Sequence, residues 1–541
     1  MPTLDLRDKG WIPVRDTSGA TEEFGLRDTL LRAHELSEIR DPFPPVEFGL
    51  YRLLVALVMD IYRFEDTRAL EELLEAGRID PQRVNAYFAD PDNEDRFDLF
   101  HPQYPFLQFA DMSSETDKPL AGLLPPIPSG TNSNHFHHAL EGDFGVCPEA
   151  AARLLTTIAP FMTAGGAGLA PSINGAPPWY ALVMGESLFQ TLCLNCCTLP
   201  MRPEVEYGIP TWKRSGAFAV ERRQTASLLE GLTWQPRRIL LVPDGPGCCA
   251  LTGKVTDTLV RRMKFTPGAA AGFSWQDPNA AYRIDSKSDD KGPLIVRPQE
   301  GKQSWRDVGP LALLHSKSHG KDEQKVSFLR PRVVDQYAEL SKYDDTHSLV
   351  PHDLRLTLYG MRTDMKMKVF EWQREGLDAL PARLILNEVF GTTAQEEIQC
   401  ATEVDNGLRR ALKLAYPRDG KGNKQAFDSR IDYARRCFWN VLRPHYIALL
   451  HGLAEADLEH IDAAKKPLQQ QWKNQIRAIG RQTLDTAIQD LDGEANMLLR
   501  VEVLTRKEFE KALFFALSEE PRKTAGSGGK DKSKTERGAK P

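Results

Sequence analysis

From residue 383 to residue 517 the chain carries four apolar patterns of helical period, near 383–415, 425–453, 468–492 and 494–517. Each pattern makes one apolar stripe, and a stripe must be buried against a neighbour. In the third, Ile476, Ile479, Thr483, Ala487 and Leu491 recur at gaps of three or four and predict one helical face. Pro417, Gly420 and Gly422 punctuate the first connection, and Pro467 precedes the third helix. Short connections between four helices predict antiparallel neighbours, hence a four-helix bundle over 376–520. Residues 521–541 lack large apolar side chains and predict a disordered basic tail.

The first 375 residues differ in character. Segments 10–14 (GWIPV) and 238–242 (RILLV) read as strands, and 46–62 reads as a buried helix, apolar on most faces. Between about 123 and 368, Pro, Gly and short β-like runs alternate. The predicted fold class is therefore α+β: a large mixed N-terminal domain with long loops over 1–375, followed by the bundle. No apolar run approaches the roughly 20 residues that cross a bilayer. The N-terminal stretch has no apolar signal region, so a cytoplasmic chain without a membrane partner is expected. The eight cysteines are scattered, with clusters at Cys193, Cys196, Cys197 and at Cys248, Cys249. In a reducing compartment such thiols are mostly buried.

The net charge of −6 hides an asymmetry. Residues 1–120 carry 13 Lys and Arg against 25 Asp and Glu, and the remainder carries 56 against 50. An acidic front repels nucleic acid, whereas the rest of the chain tolerates it. Basic clusters recur there: Arg261, Arg262 and Lys264 in VRRMKF, Arg362, Lys366 and Lys368 in RTDMKMKVF, and Arg409, Arg410, Lys413, Arg418, Lys421 and Lys424. Such groups neutralise phosphates and give salt-sensitive binding.

Residues 163–178 read TAGGAGLAPSINGAPP. Gly165, Gly166, Ala167, Gly168 and Gly175 strip this loop of side-chain bulk, which allows close approach of another surface or positive φ angles. A dinucleotide fingerprint fails, because its third glycine would fall at Pro171. No Lys-Ser or Lys-Thr follows, so the loop is not a phosphate-cradling P-loop. GPGCCALTGKV also departs from that pattern, with five residues between Gly247 and Gly253 and Val255 after Lys254. His135, His137 and His138 in NSNHFHH lack an accompanying Cys, His or carboxylate framework, and one Cys pair at Cys248 and Cys249 falls short of the four ligands of a zinc site. A loop of Asn, His and Phe suits partner contact better. No nucleophile elbow or carboxylate pair stands out, which favours recognition over catalysis.

Taken in order, several segments resemble the large subunit of the type I-E CRISPR surveillance complex, Cascade. They are WIPV (11–14), FDLFHPQYPFLQ (97–108), SGTNSNHF (129–136), the glycine loop, PTW (210–212), GLTWQPRRI (231–239), WRD (305–307) and RCFW (436–439). The resemblance implies a non-catalytic subunit without a cofactor. Its implied partners are double-stranded target DNA, the 5′ handle of a guide RNA, other Cascade subunits and a trans-acting helicase-nuclease. It implies reading of a protospacer-adjacent motif from the minor groove by Gly165, Gly166, Ala167 and Gly168, with Lys264 as a finger and Arg262 as the competing choice. A strand-separating wedge maps to Arg362, Asp364, Met365 and Lys366, with Met365 where relatives place Gln. Asn132, Asn134, His135 and Phe136 map to a loop that contacts the RNA handle or neighbouring subunits. Arg409, Arg410, Lys413, Lys421 and Lys424 map to a path for the displaced strand. The competing readings are a metal-dependent nuclease using His135, His137 and His138, and a scaffold that binds only protein.

Overall fold

The computed structural model describes residues 2–112, 116–124, 144–165, 168–198, 206–214, 222–285, 292–313, 326–342, 349–363, 369–415, 424–457, 459–490 and 495–518. The chain divides into two compact units, Met1–Glu396 with Tyr446–Leu468, and Glu397–His445 with Gln469–Pro541.

The first unit is built around the helix Pro44–Tyr62, buried from Pro45 to Asp60. Prolines at its first turn suit the helix start, where an amide donor has no partner to lose. Leu, Val, Phe and Tyr cover every face, so every face is packed, as the sequence predicts. Three charged residues interrupt that surface, and each is paired; Asp60 meets Arg63 and Lys213, both at 2.7 Å. Arg52 donates to Leu232 O (2.8 Å) and Gly231 O (3.3 Å) and pairs with Asp277 at 2.8 Å. Glu47 is fully buried and is considered below.

Three of the unit's antiparallel sheets position the site. In the first, Ile12–Asp16 lies between Thr21–Phe24 and Leu36–Ile39. In the second, Leu259–Pro267 lies between Asp117–Pro119 and Arg237–Asp244. In the third, Leu356–Thr363 lies between Tyr180–Val183 and Val369–Gly376. Several small sheets interleaved with helices make an α+β fold.

The last four long helices are Glu388–Lys413, Lys424–Glu455, Ile461–Gln489 and Ala495–Leu517. Two details differ from expectation. The first predicted helix is divided, because extended Asn387 separates Ala382–Leu386 from Glu388–Lys413. The third begins at Ile461, so Pro467 lies inside it rather than ahead of it. There the proline forfeits one ladder bond, while its fixed φ still suits a helix.

The buried face of that helix is Trp472, Ile476, Ile479, Gly480, Leu484 and Ile488. Thr483 and Ala487 are only half-buried, and Leu491 lies outside the described residues. The Thr483 hydroxyl is bonded to Ile479 O at 2.8 Å. In the second unit, glycines set the closest helix approaches. A Cβ at Gly480 would lie 2.9 Å from Phe509 Cζ, and one at Gly407 would lie 2.4 Å from Ala512 Cβ. Arg435 forks onto the buried Asp405 at 2.8 and 2.7 Å.

Candidate nucleic-acid interface

The glycine loop leaves the short helix Ile158–Phe161 and leads into the strand Tyr180–Val183. Its stem closes on itself. Gly165 N donates to Leu169 O (2.9 Å), Ser172 N to Met162 O (2.7 Å), and Gly175 N to Ser172 O (2.9 Å). Two glycines have reasons within the chain. Gly168 has φ +82°, where a Cβ clashes with the backbone, and a Cβ on Gly165 would meet Leu169 Cδ1 at 2.8 Å and Cβ at 2.9 Å. Gly166 and Ala167 lie outside the described residues.

Two arginines hold this loop by its carbonyls. Arg237, 2% exposed, donates from Nη2 to Thr163 O at 2.8 Å and from Nη1 to Ala170 O, so one guanidinium grips both arms of the loop. Burial pushes the guanidinium down to about 10, which leaves it charged at neutral pH. Further along, Arg297 donates to Ala176 O (3.0 Å) and Asn174 O (3.4 Å). Neither arginine was singled out by pattern. The available signal is an arginine beside an apolar strand run, since a buried guanidinium must find acceptors.

Arg237 opens the strand Arg237–Asp244, which pairs with Leu259–Pro267. The latter is the predicted basic strand. Met263 is buried, so the period of two sends Arg262 and Lys264 to the opposite face. Arg262 is the more exposed of the two and pairs with Asp117 at 2.7 Å. Asp117 also stands opposite Lys264 in register, so one carboxylate faces both cations. Arg261 pairs with Asp244 at 3.2 Å. One sheet thus carries the loop clamp at one end and the two finger candidates on its middle strand.

Asn132, Asn134, His135, Phe136, His137 and His138 lie outside the described residues. Described residues on both sides of that segment meet the lysine strand. Gly122 lies where a Cβ would contact Met263 Cε at 3.5 Å. Val146 exchanges backbone hydrogen bonds with Val260 (3.1 and 2.8 Å).

The predicted wedge falls on a hairpin. Leu356–Thr363 pairs with Val369–Gly376, with Thr363 opposite Val369 and a bulge beside Arg362. Asp364, Met365 and Lys366 belong to residues 364–368 at its end, outside the described residues. Arg362 is engaged at the hairpin's flank, 3.4 Å from both Glu371 and Glu300 and 5.0 Å from the centre of the Phe370 ring. Phe370, 55% exposed, is an apolar residue near the tip that the pattern missed.

The base of the hairpin is fastened to the central helix. Glu47 Oε1 accepts from Tyr359 OH (2.5 Å) and from Arg374 Nε (2.6 Å), one partner from each strand. Burial works against the Arg374 charge, but Glu47 and Tyr359 outweigh it and hold its pKa above the ordinary value. The third sheet joins hairpin to loop, because Tyr180–Val183 follows the glycine loop directly and pairs with Leu356–Thr363.

In the second unit, Arg409, Arg410 and Lys413 are exposed on the last turns of Glu388–Lys413. Arg410 approaches Glu508 at 3.9 Å. Lys421 lies outside the described residues, and Lys424 opens the next helix. Among the described residues, no group of three or more His, Cys, Asp or Glu is placed to hold a metal ion, and no helix is long and apolar enough to cross a membrane. Cys248 is exposed and Cys249 buried, on and beside a short strand pair that includes Gly247–Cys248.

The sequence matches the family profile of CRISPR-associated protein Cse1 over residues 5–483. It is 28% identical over 512 residues to the CRISPR-associated protein CasA/Cse1 of Thermus thermophilus, covering 88% of this chain and 93% of the relative. The fold is similar to the crystal structure of Cse1 from Acidimicrobium ferrooxidans, with a TM-score of 0.69, 22% identity, and coverage of 96% of this chain and 99% of that one. It is also similar to a chain of a solved CRISPR RNA-guided surveillance complex, with a TM-score of 0.71, 20% identity, and coverage of 95% and 100%. With the profile matched over most of its length, the chain belongs to the Cse1 family of CRISPR-associated proteins, the large subunit of type I-E Cascade.

Proposed function

We propose that this subunit reads a protospacer-adjacent motif in double-stranded DNA through the minor groove and starts opening of the duplex. The observation that carries this reading is the arrangement around the glycine loop. Arg237 fastens the loop to the sheet whose middle strand bears Arg262 and Lys264, and the loop's other end runs into the hairpin sheet. A loop without side-chain bulk admits a duplex edge, and the minor groove of B-DNA is only about 6 Å wide. An amine there donates to purine N3 and pyrimidine O2, a coarse readout that suits a short motif. Lys264 fills that role, with Arg262, which pairs with Asp117, as the competing choice. Gly165, Gly166, Ala167 and Gly168 present backbone to the groove edge.

The hairpin follows as the wedge. Its tip, with Asp364, Met365 and Lys366, enters beside the motif, and an apolar Met unstacks a base step as inserted wedges do. Base pairing with the guide RNA then reads the remaining sequence. Asn132, Asn134, His135 and Phe136 contact the 5′ handle or neighbouring subunits, and Arg409, Arg410, Lys413, Lys421 and Lys424 guide the displaced strand. Cutting belongs to a recruited helicase-nuclease, and this subunit is non-catalytic.

The test separates opening from binding. Residues 364–368 are replaced by Asn-Gly, a two-residue turn that retains the Thr363–Val369 pair. In the assembled particle this variant is expected to bind motif-bearing duplex normally and to lose permanganate reactivity of the adjoining thymines. Undiminished reactivity contradicts the wedge.

A further inference from the structure

Three of the segments that carry the family resemblance meet at one pocket. Residues 97–108, 210–212 and 231–239 together supply Tyr104, Trp212, Gln235 and Arg238 to its lining, and Arg96 and Arg214 complete the rim. The pocket has a volume of about 140 Å³. A cavity of about 150 Å³ accepts one benzene, so this one fits a single planar ring rather than a chain segment.

Its walls combine rings with cations. The Arg96 guanidinium lies 3.8 Å from the centre of the Tyr104 ring, which stacks on His101 at 5.6 Å and 8°. Arg238 lies 5.6 Å from the Phe109 ring centre. Glu230 pairs with Arg214 at 2.8 Å. Among the described residues, Arg96 and Arg238 have no ion-pair partner.

Two polar atoms in the lining lack partners. Gln235 is 3% exposed, and neither its Oε1 nor the buried Arg238 Nε has a hydrogen-bond partner among the described residues. Two residues of the lining thus keep hydrogen-bonding capacity that the described residues leave unused. Leu107, also in the lining, holds a φ of +55°, a strained angle for a leucine that its surroundings must enforce.

We infer that this pocket takes one unstacked nucleotide of a single strand. The base lies against the aromatic wall, with its edge toward Gln235 and Arg238. Its phosphate meets Arg96 and Arg238. A nucleobase edge carries donors and acceptors side by side, and stacking on aromatic and guanidinium planes is how extruded bases are held. The inference rests on the recognition reading only in that the strand is the guide RNA or the displaced DNA.

The test uses the purified full chain and short labelled strands, one of uridine RNA and one of thymidine DNA, each with a single central 2-aminopurine or abasic position. Removing one base–aromatic contact lowers affinity about tenfold. That loss is expected for Arg238→Gln, for Gln235→Leu and for the abasic strands, together with loss of the 2-aminopurine fluorescence change. Arg68→Glu, on an exposed helix face 82% open to solvent, is expected to leave binding unaltered. Tighter binding of RNA assigns the pocket to the guide, tighter binding of DNA to the displaced strand, and equal binding to the nucleotide features both share. Arg96→Gln, at the rim, replaces Gln235→Leu if that variant does not fold. Unchanged affinity in the variants, or abasic strands bound as tightly as intact ones, overturns the inference. Motif-dependent duplex binding by the assembled particle is measured alongside. If it persists while strand binding ignores the substitutions, the pocket fails and motif reading stands.

Discussion

Arg237→Met is expected to destabilise the first unit by about 3 kcal/mol, because two carbonyls lose a charged donor and each buried unsatisfied group costs roughly 1–3 kcal/mol. Methionine fills similar space, so the loss is of hydrogen bonds more than of packing. Thr163 O and Ala170 O stand on opposite arms of the glycine loop, and Arg237 ties both to the sheet. Without the guanidinium the loop loses this anchor to the sheet and must be reordered on binding DNA. If that reordering draws on the full 3 kcal/mol, motif-dependent binding falls about a hundredfold. Arg237→Lys keeps the charge and reaches one carbonyl at a time, so its loss should be intermediate. Denaturant unfolding measures the first effect, and duplex titration of the assembled particle measures the second.

Glu47→Leu is expected to cost about 3 kcal/mol, the lower end for breaking a buried ion pair. Glu47 is fully buried and binds Tyr359 and Arg374, one on each strand of the hairpin. Leucine leaves Arg374 without its nearest carboxylate, although Glu38 remains at 3.4 Å. The hairpin then loses its fixed base while its tip sequence is untouched. Duplex opening should therefore suffer more than initial binding, the same split expected on shortening the tip. Urea unfolding and the permanganate footprint report the two effects separately.

Both residues show where sequence reasoning stopped. The helix at 46–62 was legible because apolar residues cover all its faces, and the basic strand because alternation in VRRMKF separates Met263 from Arg262 and Lys264. The partners of Glu47 are 312 and 327 positions away, and Arg237 reaches back 67 and 74 positions. No local pattern encodes such distances. The signal present was chemical: a lone Glu in VEFGLYRLL and an Arg at the head of RRILLV must be satisfied if buried. Pattern reading also drifted along the third bundle helix. Gaps of three and four both fit a 3.6 period, so after Ile479 the stripe could pass through Thr483 or Leu484, and the buried face runs through Gly480 and Leu484. The bareness of the glycine loop was legible, but part of its cause was not. Gly168 and Gly165 answer to the loop's own geometry as well as to any ligand.

The central claim is that the glycine loop and Lys264 together read the motif. Its most direct test is a titration of assembled particles, wild type and Gly166→Asp/Lys264→Ala, against two duplexes that differ only in the motif. The wild-type particle is predicted to bind the motif-bearing duplex more tightly. The double variant, with a carboxylate facing the groove and no amine to donate, is predicted to bind both duplexes equally and weakly. Full discrimination retained by the double variant would contradict the account.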